Sequence, residues 1–144
     1  MIRLNEATAI CCPPGEVFAF LADLNNFAKW RANLVSFTIL TAGPTEVGTR
    51  CVEVVQVGPM RATGTCDVTE FSAGRSMAFK AVSGGIVYDG RIVVEPSAEG
   101  SRLTLTGDVQ VRGWLKLMQP MLKRRLASGI KKEASSVKRV LEAH

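Results

Sequence analysis

Residues 113–142 read GWLKLMQPMLKRRLASGIKKEASSVKRVLE and carry the longest helical pattern in the chain. Apolar residues recur there every three or four positions, at Met118, Leu122, Leu126, Ile130, Ala134, Val137 and Leu141. This spacing places them on one stripe of an α-helix. Pro120 stands near the beginning, so we expect a short turn over 114–118, a bend, and then one long helix.

The outer face of this helix is strongly basic. Residues 112–144 hold nine Lys and Arg against Glu133 and Glu142, whereas the whole chain has a net charge of only +5. We favour a solvated face, with these side chains exposed: Lys123, Arg124, Lys131, Lys132, Lys138 and Arg139. The alternative is contact with an anionic membrane surface or RNA. An aromatic content of 6% argues against nucleic acid, because few rings are available to stack on bases.

Upstream of the helix, the pattern changes to short segments bounded by turns. Six of them are typical of strands: 34–40, 49–57, 61–70, 76–82, 86–95 and 101–111. Before them, residues 3–11 predict a first strand, and residues 14–21 and 23–30 predict two short helices. The prediction is an α+β fold with seven antiparallel strands. The long helix must lie across one face of the sheet, because nothing else covers both apolar surfaces.

Four sequence motifs, taken in order, resemble those of one known family. They are Pro14-x-x-Val17-Phe18-x-Phe20-Leu21-x-Asp23 with Trp30, Val47-Gly48-Thr49-Arg50, Val68-Thr69-Glu70-Phe71 and Gly113-Trp114-Leu115. Together they resemble the polyketide cyclase/dehydrase and lipid-transport family of the START-related, birch-pollen-allergen-like (SRPBCC) superfamily. The resemblance implies a helix-grip fold, in which a curved seven-stranded antiparallel sheet wraps around a long C-terminal helix, with two short helices between strands 1 and 2. Fold analogy does not choose among the cyclases, hydrophobic-ligand carriers, quinone-binding proteins and chaperone activators of this superfamily.

The composition is typical of one globular domain. The chain has 144 residues, of which 47% are hydrophobic and 22% charged, so residues 1–144 are expected to form a single START-like domain. No apolar run approaches the roughly 20 residues of a membrane-spanning helix, and residues 1–6 lack the pattern of a signal peptide. We therefore expect a soluble, cytoplasmic protein, and the pattern leaves its oligomeric state open.

The residue types needed for several chemistries are missing. His144 is the only histidine, which argues against a zinc site and against Ser-His-Asp or Cys-His catalysis. The chain has no Walker loop and no dinucleotide-binding glycine pattern, so no cofactor and no metal are expected. The cysteines are expected to be free thiols, as is usual in a reducing compartment: Cys11, Cys12, Cys51 and Cys66.

Turn positions predict which strand residues lie opposite each other. The predicted pairs are Cys51–Cys66, Glu53–Gly64 and Val55–Ala62 about a turn at Gly58-Pro59, Ile92–Leu105, Gly90–Gly107 and Tyr88–Val109 about a turn over 97–100, and Phe79–Tyr88 about a loop over 82–85. Gly64, Gly90 and Gly107 then share the inner face, where missing side chains leave volume beneath the helix. We predict a cavity there. The alternative is that the glycines mark bulges and that Met118 and Tyr88 fill the space.

Such a cavity would have a mostly apolar wall, which is typical of a small-molecule site. The residues predicted to contact the ligand are Glu53, Val55, Phe79, Tyr88, Ile92, Leu105, Trp114, Met118, Met121 and Leu122. Trp30 is interpreted as a packing anchor of the second helix. Glu53 and Tyr88 are the polar candidates for catalysis. Glu53 either acts as an acid or base in a cyclisation or, as we favour, pairs with Arg31 or Arg91.

The preferred function is binding of a hydrophobic small molecule, such as a lipid, a quinone or a polyketide-like aromatic, for transport or sensing. The first alternative is a polyketide cyclase/dehydratase-type enzyme that uses Glu53 and Tyr88. The second is an interaction module that contacts a membrane or RNA through the basic helix. The lack of an internal histidine favours binding, because few side chains then have a pKa suited to proton transfer near neutral pH.

Overall fold

The computed structural model describes residues 1–143, which form seven β-strands, three α-helices and two 3-10 helices. The strands are β1 (Ile2–Ile10), β2 (Leu34–Ile39), β3 (Arg50–Val57), β4 (Met60–Ser72), β5 (Ser76–Ser83), β6 (Ile86–Ser97) and β7 (Gly100–Val111). The α-helices are α1 (Pro14–Ala22), α2 (Phe27–Trp30) and α3 (Gln119–Glu142), and the 3-10 helices span Leu24–Asn26 and Gly113–Met118. His144 lies outside the described residues.

The seven strands form one antiparallel sheet in the order β1-β7-β6-β5-β4-β3-β2. Because β1 and β2 are the two edges of the sheet, α1 and α2 carry the chain from one edge to the other. The long helix α3 packs against β1, β7, β3 and α2, so the curved sheet wraps around it. The predicted α+β architecture is confirmed, including the short helical segments between β1 and β2 and the long C-terminal helix.

The apolar stripe of α3 faces the sheet, as its spacing predicts. Leu122, Ile130 and Val137 are buried, and each such side chain contributes roughly 1.5–3 kcal/mol by leaving water. The basic side chains that are exposed as predicted are Lys123, Arg124, Lys131, Lys132 and Arg139. Lys138 departs from the prediction and is half-buried, because its Nζ donates a hydrogen bond to the carbonyl oxygen of Ala9 at 2.7 Å. Among residues 1–143, no helix is long and apolar enough to cross a membrane.

The predicted registers of the β3–β4 and β6–β7 hairpins are confirmed. Cys51 lies opposite Cys66, and Gly90 lies opposite Gly107. All four cysteines are free thiols. Burial raises the pKa of Cys51 to about 11 and that of Cys66 to about 12, so both side chains stay protonated near neutral pH.

The predicted register of the β5–β6 hairpin is wrong by two residues. Phe79 lies opposite Gly90, and Ala81 lies opposite Tyr88. The two glycines at 84–85 make the whole turn, the first with φ +58°, so the loop is shorter than predicted. A shift of two residues keeps every side chain on its predicted face, because side chains alternate along a strand with a period of two.

The inner-face glycines at positions 90 and 107 do not leave open volume. The Phe79 ring packs over Gly90. The Tyr88 ring packs over Gly107, where an added Cβ would lie 2.5 Å from the Tyr88 hydroxyl oxygen. The two rings are parallel, with centroids 6.1 Å apart. The prediction that these glycines create the cavity is therefore wrong, and Tyr88 fills the space as the alternative proposed, without Met118.

Candidate ligand-binding cavity

A cavity of about 100 Å³ lies between the inner face of the sheet and the middle of α3. Its wall is mostly apolar and combines residues of β3 to β7, of α3 and of the segment 30–33, which begins with the last residue of α2. Six of the residues predicted to contact a ligand line it: Glu53, Val55, Phe79, Tyr88, Ile92 and Leu105. The fold thus brings the two polar candidates, Glu53 and Tyr88, to the same wall, while their contact with a ligand stays a prediction.

The other four residues that were predicted to contact a ligand are not part of the cavity wall: Trp114, Met118, Met121 and Leu122. Met118 and Met121 are half-buried against the core, and Leu122 is fully buried within it. The helix instead lines the cavity with residues that begin one turn later: Leu126, Gly129, Ile130 and Glu133. The prediction placed the cavity too close to the beginning of α3.

Trp114 lies on the surface because of the local turn before α3. Gly113 has φ +66°, and the next 3-10 turn directs Leu115 inward, so that its side chain packs against Gly85. Successive residues of a helix point in different directions. With Leu115 buried, the neighbouring Trp114 side chain points into solvent.

The segment 31–33 reaches the cavity because α3 has a glycine where the two meet. Asn33 has φ +66°, a left-handed conformation that asparagine adopts more readily than most residues. A Cβ added at Gly129 would lie 2.9 Å from the Asn33 side-chain nitrogen. Gly129 therefore allows Ala32 and Asn33 to lie against the helix, which places Arg31 at the cavity wall.

Arg31 forms a buried ion cluster with two carboxylates on this wall. Its Nη2 lies 3.4 Å from Glu53 Oε2, and its Nε lies 3.2 Å from Glu133 Oε2. The same Glu133 oxygen accepts a hydrogen bond from the backbone N–H of Ala32 at 3.0 Å. The side chains of Arg31, Glu53 and Glu133 are only 12%, 2% and 14% exposed. With all three groups ionised, the cluster carries one net negative charge.

The structure decides between the two arginines predicted to pair with Glu53. Arg31 is its partner. Arg91 instead pairs with Glu70, where both side chains are largely exposed. Because a carboxylate in an apolar wall is costly without a partner, the Arg31 pair explains how Glu53 can be buried.

Burial sets the protonation of the cluster. It raises the pKa of Glu133, against the opposing effects of Arg31 and the Ala32 N–H. For Arg31, burial lowers the pKa, but the attraction of Glu133 and Glu53 outweighs it and the pKa is raised overall. Burial also raises the pKa of Tyr88 well above its ordinary value, so its hydroxyl stays protonated. The wall thus holds two arginines, Arg31 and Arg91, each paired with a carboxylate, and a neutral phenol.

Two buried nitrogen atoms of this wall have no hydrogen-bond partner among residues 1–143. They are Nε1 of Trp30 and Nη1 of Arg31. Trp30 packs edge-on against Phe27 at 5.2 Å, as expected of a packing anchor, but it also lines the cavity. Leaving a buried donor without a partner costs about 1–3 kcal/mol. Each of these two donors would therefore be stabilised by an acceptor atom of a ligand within its reach.

The sequence reasoning missed Glu133, although a signal for it exists. Glu133 follows Ile130 by three residues and precedes Val137 by four, so it belongs to the inward stripe of α3 rather than to its basic face. An acidic residue at such a position needs a buried cation, and only the fold reveals that Arg31 supplies it.

A family model agrees with this architecture over nearly the whole chain. The model for polyketide cyclase / dehydrase and lipid transport proteins matches residues 1–142. The chain belongs to this family. Its membership confirms the resemblance carried by the sequence motifs. A search of curated proteins finds no match.

Solved structures share the fold of this member of the polyketide cyclase/dehydrase family. The Zhui aromatase/cyclase from Streptomyces sp. R1128 superposes with a TM-score of 0.84 at 17% identity, over 97% of this chain and 93% of that one. The protein TTHA0849 from Thermus thermophilus gives 0.83 at 16% identity, over 98% and 97%. A START superfamily protein from Mycobacterium smegmatis gives 0.82 at 11% identity, over 99% of both chains. At these identities the similarity establishes the fold.

The family's description covers both lipid transport and cyclase or dehydrase activity. The side chains of the cavity wall therefore have to indicate which kind of ligand this member binds. Arg31, Trp30 and Tyr88 can donate hydrogen bonds, whereas Glu53 and Glu133 can accept them. Within residues 1–143, no group of three or more side chains is arranged to hold a metal ion. The donors of the wall can hold an oxygen atom of a ligand by hydrogen bonds.

Proposed function

We propose that the protein binds one small, neutral, apolar molecule in this cavity and holds an acceptor oxygen of it with Trp30 and Arg31. The observation that carries this proposal is the pair of buried donors, Trp30 Nε1 and Arg31 Nη1, on an otherwise apolar wall. A ligand with a carbonyl or hydroxyl oxygen would satisfy donors that the described residues leave without a partner. Transport or sensing of such a ligand is the function that follows.

The charge of the cluster supports a neutral ligand. Arg31 is already balanced by Glu53 and Glu133, so a carboxylate or phosphate in the cavity would add a further negative charge to a buried site. Burying an uncompensated charge is strongly unfavourable. A fatty acid or a phosphorylated compound is therefore a poor ligand at neutral pH, and a ketone, phenol or quinone is a good one.

The size of the cavity supports a ligand of about one ring. Its volume of about 100 Å³ lies below the range of ordinary ligand pockets, which is about 300–1,000 Å³, and is closer to the cavity of about 150 Å³ that holds benzene in an engineered protein. A lipid chain or a fused-ring polyketide would require α3 to move away from the sheet. Among the ligand classes considered, a single-ring quinone or phenol fits best.

Calorimetric titration with three probes tests this proposal: phenol, toluene and benzoate. Phenol and toluene have nearly the same shape, so a higher affinity for phenol would measure the contribution of its oxygen atom. A low affinity for benzoate would show that the ion cluster disfavours anions. Ala62→Leu adds three carbon atoms to a side chain that lines the cavity. It should lower the affinity for phenol and for toluene about tenfold or more. Ala127→Leu adds the same atoms on the exposed side of α3 and is the matched control.

Two results would contradict the proposal. One is benzoate binding as tightly as phenol, because the cluster would then not exclude anions. The other is unchanged affinity for phenol in a folded Ala62→Leu variant, because the ligand would then lie outside this cavity.

A cyclase or dehydratase activity is the second candidate, favoured by one observation. Glu53 and Tyr88 line the same cavity, Tyr88 as a protonated phenol and Glu53 paired with Arg31. The similarity in fold to the Zhui aromatase/cyclase is consistent with it. Turnover of a poly-β-ketone substrate that is lost in Glu53→Gln, with its binding retained, would support the enzyme. Turnover that survives this substitution would exclude the role of Glu53.

A further inference from the structure

Two large apolar side chains are exposed close together on the surface. Leu117 and Trp114 are 86% and 69% exposed, more than any other large hydrophobic residue among residues 1–143. Both belong to the 3-10 helix Gly113–Met118, and Leu115 between them is buried. Exposure forgoes the stabilisation that burial of each such side chain would contribute, so the stability of the fold does not explain them.

This 3-10 helix stands at one end of the molecule, next to the β5–β6 turn. The backbone N–H of Arg112 donates a hydrogen bond to the carbonyl oxygen of Gly85 at 2.8 Å, and Leu115 packs against the same glycine. The β3–β4 turn is at this end too, because the side chains of Met121 and Arg125 lie against Gly58. Three chain reversals therefore meet at this end.

Three segments at this end carry basic side chains and no acidic ones. The segments 54–63, 80–88 and 112–132 contain no Asp or Glu. The last of them holds seven basic residues: Arg112, Lys116, Lys123, Arg124, Arg125, Lys131 and Lys132. We call the exposed part of this end the basic tip, and define it as Arg112, Trp114, Lys116, Leu117, Lys123 and Arg124.

We infer that the basic tip docks the protein onto an anionic lipid surface. Tryptophan is favoured at the boundary between water and lipid, and an exposed leucine gains apolar contact by inserting below the headgroups. Basic side chains beside them are attracted to anionic headgroups, each by about fivefold in affinity. Neither signal binds firmly alone, whereas the two together do, which is the combination that the basic tip offers.

The composition of the tip favours lipid over RNA. Single-stranded RNA is held by several aromatic rings that stack on bases, and the tip has Trp114 alone. Leu117 is the most exposed apolar side chain of the tip. It would find no apolar contact on a phosphate backbone, whereas it can pack against the acyl chains of a lipid. An RNA partner would leave this leucine unexplained.

Docking would also orient the cavity. Val57, Met60, Ser83 and Ile86 stand at the turns of this end and line the cavity. The basic tip would therefore place this end of the cavity against the lipid, from which an apolar ligand could enter. This consequence rests on the proposed function, whereas docking itself requires no ligand.

Vesicle sedimentation with the full chain tests the docking. We expect binding to vesicles of phosphatidylcholine mixed with phosphatidylserine, much weaker binding to phosphatidylcholine alone, and loss of binding as salt is raised. Leu117→Ser should weaken binding about tenfold or more, and Lys116→Glu should weaken it by about fivefold or more. The matched controls are Leu40→Ser, at an exposed leucine elsewhere, and Arg139→Glu, near the other end of α3.

Fluorescence gives an independent readout at the tip. The emission of Trp114 should move to shorter wavelength when anionic vesicles are added, and Trp114→Phe should abolish the change while Trp30 remains. Equal binding to both vesicle types, or equal losses in Leu117→Ser and Leu40→Ser, would overturn the inference. So would an RNA oligonucleotide that binds while anionic vesicles do not.

Discussion

Trp30 and Arg31 are adjacent in the chain, and both pack against Phe27. The Trp30 ring packs edge-on against Phe27. The Arg31 guanidinium lies 5.3 Å from the centre of the Phe27 ring and 5.9 Å from that of Phe79, in addition to its two carboxylate partners. These contacts hold both donors in place before a ligand arrives. Ligand binding therefore orders few side chains, and the affinity is not lowered by the entropy that such ordering would cost.

Trp30→Phe removes the indole N–H of Trp30 together with three heavy atoms of its buried ring. Trp30→Phe should weaken phenol binding by about twofold to tenfold more than toluene binding, which is the value of one hydrogen bond. Titration calorimetry on both proteins measures the two affinities, and toluene serves as the internal control that the cavity survives. Equal losses for phenol and toluene would mean that Trp30 acts by packing alone.

Glu133 should make the stability of the protein depend on pH in a defined direction. Its folded-state pKa is raised above the ordinary value of 4.5, so folding favours the protonated form. The stability that this preference contributes is present below 4.5 and is lost as the pH rises through the raised pKa. Relative to Glu133→Gln, the wild type should therefore gain free energy of unfolding as the pH falls from neutrality towards 4.5.

Urea unfolding of both proteins at a series of pH values measures this difference. The glutamine introduced by this substitution can still accept the hydrogen bonds from Arg31 and Ala32, so the comparison isolates the charge. Glu99→Gln is the matched control, because it removes one negative charge at an exposed position. A wild type that loses stability relative to Glu133→Gln as the pH falls would mean that Arg31 dominates over burial.

Among the residues of the ion cluster, Glu53 could be predicted from the sequence. Its partner could be narrowed only to Arg31 or Arg91, and Glu133 was not predicted. The inward position of Glu53 follows from its hairpin register, and the need for an arginine follows from burial. Choosing Arg31 over Arg91 requires knowing that Asn33 and Gly129 bring the segment after α2 against α3. That contact joins residues far apart in the chain, and no local pattern predicts it.

At the scale of the elements, the β6–β7 hairpin depends on glycines that make room for aromatic rings. An added Cβ at Gly107 would lie 2.5 Å from the Tyr88 hydroxyl oxygen, so Gly107→Ala should lower the free energy of unfolding by about 1–3 kcal/mol. Gly15→Ala in α1 meets no atom within 4 Å and should instead raise it, by about 0.5–1 kcal/mol. Urea unfolding measures both. Equal stability of Gly107→Ala and the wild type would mean that the ring is not confined.

The strands and registers illustrate what local sequence can and cannot predict. Gly58 has φ +60° in the turn between β3 and β4, and a tight turn there sets the whole hairpin. The glycines at 84–85 allow either a two-residue turn or a longer loop, so the register of Phe79 could not be chosen. The faces were still predicted correctly, because both choices preserve the alternation of side chains.

At the scale of the whole molecule, α3 separates two surfaces with different chemistry. Its inner stripe closes the apolar core and, through Glu133, completes the ion cluster. Its outer face and the preceding 3-10 helix carry the basic charge and the exposed Trp114 and Leu117. The sequence predicted both faces of the helix from periodicity. The exposure of Trp114 could not be predicted in the same way, because the 3-10 turn interrupts the helical period.

The two tryptophans allow ligand binding at the Trp30 wall to be tested by a single NMR experiment. The chain has two tryptophans, Trp30 at the cavity wall and Trp114 on the surface, so a ¹⁵N-labelled sample shows two indole N–H signals, assigned with Trp30→Phe and Trp114→Phe. Phenol should shift the Trp30 signal in a saturable manner, as its N–H gains an acceptor, and leave the Trp114 signal in place. A saturable shift at Trp114 alone, or phenol binding that shifts neither signal, would contradict the account.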